Sequence, residues 1–122
     1  MARILVIDDS SVIRNLLEEY LCEQGHQVDL AEDGQIGIDK ALSHDYQLVF
    51  CDIHMPRKNG YQVYKEVSSA KPAMPFIMTD SLPDDLAEQA EKAGARCCLT
   101  KPFDLEEVRQ TISKVLTASK TV

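Results

Sequence analysis

The sequence predicts an α/β domain of the (βα)5 type, a doubly wound five-stranded parallel sheet with helices on both faces. Five short apolar segments recur along the 122-residue chain, and each interval between them carries a helical pattern. Strands that alternate with helices at this spacing form parallel sheets, because parallel neighbours need a crossover connection. Right-handed crossovers place helices on both faces of the sheet, and five strands are too few for an eight-stranded barrel.

The predicted strands are short apolar runs bounded by polar residues. None of them approaches the length of about 20 apolar residues that a membrane-spanning helix needs. Their sequences are ILVI at 4–7, VDLA at 28–31, LVFC at 48–51, FIM at 76–78 and CCL at 97–99.

The first predicted helix has well-defined ends. Ser10 or Ser11 suits the N-cap, since a serine hydroxyl can accept a hydrogen bond from a free backbone N–H. Gly25 suits the left-handed conformation that often ends a helix. Apolar residues recur at helical spacing between these ends. The predicted inward face comprises Val12, Ile13, Leu16, Leu17, Tyr20 and Leu21.

Four further helices fill the other intervals. The second spans roughly 35–43, and the third starts at Gly60 and stops before a proline, which disfavours helix in the residue before it. Pro83 suits the first turn of the fourth helix, which Gly94 ends. The fifth follows the N-cap Asp104, with an acidic residue three positions on. Their predicted inward residues include Val63, Tyr64 and Val67 in the third helix, and Leu105, Val108, Ile112, Val115 and Leu116 in the fifth.

Composition and charge exclude several classes of function. The formal net charge of −7 argues against a direct nucleic-acid partner, which needs a basic face. The N-terminal residues turn acidic too early for a secretory signal, so we predict a cytoplasmic protein that does not enter a membrane. In a reducing compartment the cysteines are expected to be buried free thiols. They are Cys22, Cys51, Cys97 and Cys98.

Polar side chains follow the first, third, fourth and fifth predicted strands. In an open parallel sheet, ligands bind beyond the carboxyl ends of the strands, so these side chains are expected to converge on one rim. They are Asp8 and Asp9 after the first strand, Asp52 after the third, Thr79 and Asp80 after the fourth, and Thr100 and Lys101, which precede Pro102, after the fifth.

Clustered carboxylates at this rim indicate a divalent cation. Two carboxylates about 4 Å apart repel by about 4 kcal/mol at an effective dielectric constant near 20, and Lys101 cannot offset three such pairs. A few carboxylates with all-oxygen ligation suit Mg²⁺. A softer metal would use Cys51 or His54, but Cys51 and Asp52 are neighbours on a strand and point to opposite faces.

A magnesium ion beside one carboxylate and one lysine indicates phosphoryl transfer. A carboxylate can act as a nucleophile and form an acyl phosphate. The cation and Lys101 would neutralise phosphoryl oxygens, and the Thr79 hydroxyl could donate to another. Lysine suits this role as a compact point charge.

The chain carries an ordered set of motifs, VIDDS at 6–10, DIHMPRKNG at 52–60, Thr79 and LTKPF at 99–103. Together they resemble the receiver domain of response regulators in two-component signalling, including single-domain regulators of the chemotaxis kind. The resemblance covers essentially the whole chain. It implies one receiver domain over residues 1–122, with a core over about 2–118, and the flavodoxin-like strand order 2-1-3-4-5.

The resemblance implies an acceptor and a cation site. Asp52 would be the phosphoacceptor. Asp8 and Asp9 would organise Mg²⁺, with Asp9 the more direct of the two. Asp52 itself and the backbone carbonyl of His54 would complete the protein ligands.

The resemblance also implies a switch and partners. Thr79 would move toward the phosphoryl group, Lys101 would contact it, and the bond to Pro102 would be a cis peptide. A sensor histidine kinase or phosphotransfer protein would supply the phosphoryl group. Phosphorylation would shift a two-state equilibrium of the face formed by the fourth helix, fifth strand and fifth helix, where a downstream target protein would bind. We expect no output domain and no turnover of a small substrate.

Two positions depart from the family pattern. Asp80 follows the switch hydroxyl where a small residue is usual, so its charge would repel a phosphoryl group unless it points to solvent. Cys98 stands three positions before Lys101, where an aromatic side chain that changes rotamer is common. These departures leave open a degenerate receiver that acts as a constitutive interaction module.

Two other functions fit the same fold class less well. A magnesium-dependent phosphatase with an aspartyl nucleophile would place His54 at its acid–base position, but no substrate-covering cap domain fits in 122 residues. A flavin-binding protein would need a hydroxyl-rich phosphate loop after the first strand, where this chain is acidic.

Overall fold

A parallel sheet forms the centre of the computed structural model, which describes residues 2–80, 85–101 and 103–120. Its strand order is β2-β1-β3-β4-β5, with every neighbouring pair parallel. The strands in the described residues are β1 (Arg3–Ile7), β2 (Gln27–Ala31), β3 (Leu48–Asp52), β4 (Phe76–Asp80) and β5 (Cys97–Thr100). The predicted (βα)5 pattern and the strand order 2-1-3-4-5 are therefore confirmed.

A helix follows each strand. Those in the described residues are α1 (Ser11–Glu23), α2 (Gly34–Ser43), α3 (Gly60–Ala70), α4 (Asp85–Ala93) and α5 (Leu105–Lys120). The Ser10 side chain caps α1 by accepting the backbone N–H of Ile13, and Asp104 and Glu107 cap α5 reciprocally. Gly25, just beyond α1, has a positive φ of 90°, as the predicted helix end required. Across the described residues, no helix combines the length and apolar character that crossing a membrane would take.

Two hydrophobic clusters cover the two faces of the sheet. One joins the sheet to α2, α3 and α4 and includes the predicted inward residues Val63, Tyr64 and Val67 of α3. The other joins the opposite face to α1 and α5 and includes Val108 and Ile112. The helices therefore lie on both faces of the sheet, as the right-handed crossovers predicted.

The inward face of α1 is narrower than predicted. Leu17 and Leu21 are buried, and Ile13 packs against the same cluster. Val12 and Leu16 are 72% and 40% exposed, so their assignment to the core was wrong. Each precedes a residue of the buried stripe by one position, and one residue turns a helix by about 100°. That rotation carries both side chains out of the stripe.

The cysteines lie in different environments. Cys51 is fully buried in β3, as predicted, and Cys98 is half-buried against the cluster that joins the sheet to α2, α3 and α4. Cys22 is exposed, so its predicted burial was wrong, because it lies one position beyond the buried stripe of α1. The side chain of Cys97 and the predicted helix start at Pro83 lie outside the described part of the structure.

Candidate functional site

Three carboxylates converge at the carboxyl ends of β1 and β3. Asp8 and Asp9 follow β1, and Asp52 is the last residue of β3. One carboxylate oxygen from each residue lies within 4.8 Å of the other two. The strand register explains this approach, because Ile7 and Cys51 are paired across β1 and β3. The next residues on both strands therefore emerge at the same rim.

Asp8 is held in place through its backbone and through both carboxylate oxygens. Its N–H donates to the Ala31 carbonyl over 3.1 Å, and its carbonyl accepts Nη1 of Arg14 over 2.7 Å. Its Oδ1 accepts the N–H of Ser10 over 2.9 Å, and its Oδ2 accepts Nζ of Lys101 over 3.0 Å. Sequence reasoning did not assign Ser10 or Arg14 to the site. Their position in the first turn after the paired aspartates was the available signal.

The ammonium group of Lys101 bridges two of the carboxylates. Its Nζ lies 3.0 Å from Oδ2 of Asp8 and 3.5 Å from Oδ2 of Asp52. Burial alone would lower the pKa of Lys101, but the hydrogen bond and the charge of Asp8, followed by those of Asp52, outweigh burial and raise it. Lys101 is therefore a fixed positive charge at this rim.

Asp52 is nearly inaccessible to solvent, with 4% of its surface exposed. Burial raises the pKa of its carboxyl group to about 7; the charge of Asp8 acts in the same direction, and the charge of Lys101 opposes both. Without a cation, Asp52 is thus only partly ionised near neutral pH. A positive ion beside it would favour the carboxylate, which is the form that can act as a nucleophile.

The donor set fits a hard divalent cation. Carboxylate oxygens of Asp8 and Asp52 lie within 4.8 Å of each other. When both groups are ionised, they repel by about 3 kcal/mol or more at an effective dielectric constant near 20. Three carboxylates and one ammonium leave the ionised cluster negatively charged. Asp9 is exposed, so it can reach a hydrated ion, and the cluster offers oxygen ligands of the kind that Mg²⁺ prefers. Cys51 faces the core, which leaves no thiolate among these donors.

Thr79 lies beside Asp52 in the ladder between β3 and β4. It is 2% exposed, and its carbonyl accepts the N–H of Ile53 over 2.9 Å. Paired residues on neighbouring strands point to the same face of a sheet. The side chains of Thr79 and Asp52 therefore share one face, as the predicted roles require.

The connection after Asp52 packs closely on the strand end. The N–H of Gly60 donates to the Ile53 carbonyl over 2.8 Å. A Cβ at position 60 would lie 2.5 Å from the Asp52 carbonyl oxygen and 2.8 Å from Cε of Met78. This space admits only glycine, which explains the glycine that ends the D-x-x-M-P-x-x-x-G pattern.

Asp80 is fully buried, so the expectation that it could point to solvent is wrong. Because side chains alternate along β4, Asp80 shares a face with Met78 and points away from the face of Thr79. The exposed His54 reaches it: Nε2 of His54 lies 3.3 Å from Oδ1 of Asp80. The imidazole of His54 thus contacts a buried carboxylate on the neighbouring strand.

Of the two remaining predicted positions, Cys98 is described by the structure and Pro102 is not. Cys98 is paired with Met78 across β4 and β5, and it packs against the core cluster where the family pattern has an aromatic ring. Pro102, with its predicted cis peptide, lies outside the described residues. Its neighbour Lys101 is described, and its N–H donates to the Asp80 carbonyl over 2.6 Å.

Known proteins share both the sequence pattern and the fold. The family described as the response regulator receiver domain matches residues 4–113. The chain is 37% identical to the chemotaxis protein CheY of Halobacterium salinarum, over 95% of this chain and 98% of that protein. It is 35% identical to the transcriptional regulatory protein RprY of Bacteroides fragilis, over 93% of this chain and 49% of that protein. The chain therefore spans about half the length of RprY.

Solved structures give the same family. The response regulator TrrA of Thermotoga maritima, in complex with Mg²⁺-BeF, superposes with a TM-score of 0.86 at 34% identity, covering 94% of this chain and 99% of that one. The fold, the rim of carboxylates and these relatives agree. The chain belongs to the response regulator receiver domain family of two-component signalling.

Proposed function

We propose that this chain is a Mg²⁺-dependent phospho-receiver in which Asp52 accepts a phosphoryl group from a sensor histidine kinase or phosphotransfer protein. The observation that carries the proposal is the convergence of Asp8, Asp9 and Asp52 at one rim of the sheet, where Lys101 bridges Asp8 and Asp52. Family membership supports it, because response regulators act in two-component signalling. We propose that the whole chain, residues 1–122 with a core over about 2–118, forms one receiver unit in the cytoplasm.

In the proposed transfer, one covalent bond to phosphorus forms and another breaks. A carboxylate oxygen of Asp52 bonds to phosphorus, while the phosphorus–nitrogen bond of the donor phosphohistidine breaks. The histidine nitrogen leaves with the electron pair of that bond and takes up a proton. Reset is hydrolysis, in which water attacks phosphorus and the bond to Asp52 breaks. The products are the free carboxylate and inorganic phosphate.

Asp8, Asp9, Asp52 and the backbone carbonyl of His54 would hold the magnesium ion. A bound Mg²⁺ supplies positive charge that offsets the phosphoryl oxygens and the ionised aspartates. Lys101 supplies a second positive charge from a fixed position, because Asp8 already holds its ammonium group. The Mg²⁺-BeF complex of the TrrA response regulator supports the proposed magnesium site, since TrrA is 34% identical to this chain.

The proposed output is a change in a protein-binding surface. Thr79 is placed beside Asp52, so its hydroxyl could donate to a phosphoryl oxygen after a small movement. Such a movement would shift a pre-existing equilibrium of the face formed by α4, β5 and α5. A downstream target protein would bind one state of this face. The chain would catalyse its own phosphorylation and reset without turning over a small substrate.

Phosphorylation by a small donor tests the proposal. The protein is incubated with acetyl phosphate and Mg²⁺, and its intact mass is measured. We expect the wild type to gain one phosphoryl group, and we expect no gain in Asp52→Ala or in the presence of EDTA. Absence of any gain, or a gain that persists in Asp52→Ala, would refute the assignment.

Two results would support other functions instead. Half-buried Cys98 stands where the family pattern has an aromatic ring, which favours a receiver that binds its partner constitutively. In that case beryllofluoride and Mg²⁺ would leave partner affinity unchanged. Sustained release of phosphate from a monoester substrate would instead indicate a phosphatase.

A further inference from the structure

The buried carboxylate of Asp80 has no part in the transfer step proposed above. Asp80 is the last residue of β4 and has no exposed surface. Removing an ionised carboxylate from water is costly unless nearby charges and hydrogen bonds offset that loss. The contacts of Asp80 therefore indicate which neighbouring parts of the site this residue holds in place.

Asp80 joins two other parts of the rim. Through its side chain it contacts His54, whose Nε2 lies 3.3 Å from Oδ1 of Asp80. Through its backbone carbonyl it accepts the N–H of Lys101 over 2.6 Å. His54 lies two residues beyond Asp52, and Lys101 contacts both Asp8 and Asp52. Asp80 thus ties the connection after β3 and the end of β5 to the end of β4.

The connection between β3 and α3, residues 53–59, is restrained at other points as well. The N–H of Ile53 donates to the Thr79 carbonyl over 2.9 Å, and Nη1 of Arg57 lies 3.5 Å from Oδ2 of Asp33. Arg57 has a φ of 70°, which costs a non-glycine residue about 1 kcal/mol. Such a conformation persists only where the surroundings hold it. The contact from His54 to Asp80 lies between these two restraints.

We propose that Asp80 is a positioning residue for the cation site. By holding the imidazole of His54, it keeps residues 53–59 in the arrangement in which the His54 backbone carbonyl can serve as a ligand. The inference rests on the proposed function, which assigns that carbonyl to Mg²⁺. Without the contact, the connection would sample more conformations, and only a fraction of the molecules would be ready to bind. Apparent affinity falls by that fraction, so we expect about a 3- to 10-fold loss.

Isothermal titration of the metal-free protein with Mg²⁺ tests this role. The set comprises the wild type, His54→Ala, Asp80→Ala and the double variant. His54→Gln keeps an amide group that can donate to Asp80, and His44→Ala removes an exposed histidine at the C-cap of α2. The unfolding midpoint of each variant is measured in EDTA. A general loss of stability would lower that midpoint and leave the dissociation constant unchanged.

We expect His54→Ala and Asp80→Ala each to weaken Mg²⁺ binding by about 3- to 10-fold, and the double variant to bind as the weaker single variant does. His54→Gln should recover most of the affinity that His54→Ala loses, and His44→Ala should bind as the wild type does. Because His54 is exposed, its variants should fold even where Asp80→Ala does not. An unchanged dissociation constant in His54→Ala, or losses that add in the double variant, would overturn the inference. Either result would refute only the role of Asp80, because the wild type would still bind Mg²⁺ and become phosphorylated. A wild type that binds no Mg²⁺ would overturn the proposed function too.

Discussion

Replacing Asp52 by asparagine should stabilise the metal-free protein above neutral pH. Burial, followed by the charge of Asp8, raises the pKa of Asp52 to about 7 in the folded protein, whereas an aspartate in the unfolded chain has a pKa of about 4. Between these values the folded state holds the proton more tightly, so stability falls as pH rises from about 4 to about 7. The neutral amide of Asp52→Asn carries no such penalty.

The size of this effect follows from the pKa difference and the position of the site. The pKa of Asp52 differs by about 3 between the folded and unfolded states, which corresponds to about 4 kcal/mol of stability for a group fully shielded from solvent. The cluster opens to solvent at the exposed Asp9, and solvent screening reduces the penalty to about 2 kcal/mol. For a domain of this size, that difference raises the midpoint of thermal unfolding by roughly 5–10 °C.

Thermal unfolding in EDTA, followed by circular dichroism at about pH 5 and about pH 8, measures this difference. Asp52→Asn should be more stable than the wild type at the higher pH, and the gap should shrink to less than half at the lower pH. Asp39→Asn, on the exposed face of α2, is the control and should change little at either pH. Added Mg²⁺ should stabilise the wild type and close the gap. Equal stability of the wild type and Asp52→Asn at the higher pH in EDTA would refute the electrostatic account of this site.

Three further changes test other contacts of the structure. Lys101→Met removes a positive charge 3.0 Å from Asp8, so calorimetry should show tighter Mg²⁺ binding. Phosphorylation by acetyl phosphate should slow by about 10-fold or more. Weaker Mg²⁺ binding would contradict this expectation. Gly60→Ala forces a Cβ against backbone and should cost about 1–3 kcal/mol in urea unfolding, whereas wild-type stability would contradict the packing. Exposed Cys22 should react rapidly with a thiol reagent in the native protein, and Cys22→Ser should lose that phase without loss of stability. Buried Cys51 should react only on unfolding, and rapid labelling of Cys51 would contradict its position.

The sequence was enough to predict the strands and the convergence of the acidic residues. Each apolar run ends at a polar residue, and the parallel sheet brings those ends to one rim, so Asp8, Asp9 and Asp52 meet whatever the details of the helices. The sequence also predicted that the third helix begins at Gly60, but the reason for a glycine there comes from the structure, because a Cβ would strike the backbone of Asp52.

The rotation of α1 about its own axis could not be predicted from its composition. Six apolar residues on that helix cover more than one face, and packing on the sheet selects the stripe that contains Leu17 and Leu21. Val12, Leu16 and Cys22 are left at the surface for that reason. Propensity and periodicity do not decide which edge of a broad apolar face turns inward.

The contact between His54 and Asp80 depends on tertiary structure. The two residues are far apart in sequence, and only the pairing of β3 with β4 brings the residues after Asp52 beside the end of β4. The face of Asp80, however, was predictable. The strand alternation that separated Cys51 from Asp52 also separates Asp80 from Thr79.

The central claim is that Asp52 carries the phosphoryl group. Borohydride reduces an acyl phosphate to an alcohol and thereby converts the modified aspartate to homoserine, which peptide mass spectrometry can locate. After treatment with acetyl phosphate and Mg²⁺, followed by borohydride, we expect homoserine at position 52 and unmodified aspartate at positions 8 and 9. Homoserine at another aspartate, or none at all after confirmed phosphorylation, would contradict the assignment of Asp52.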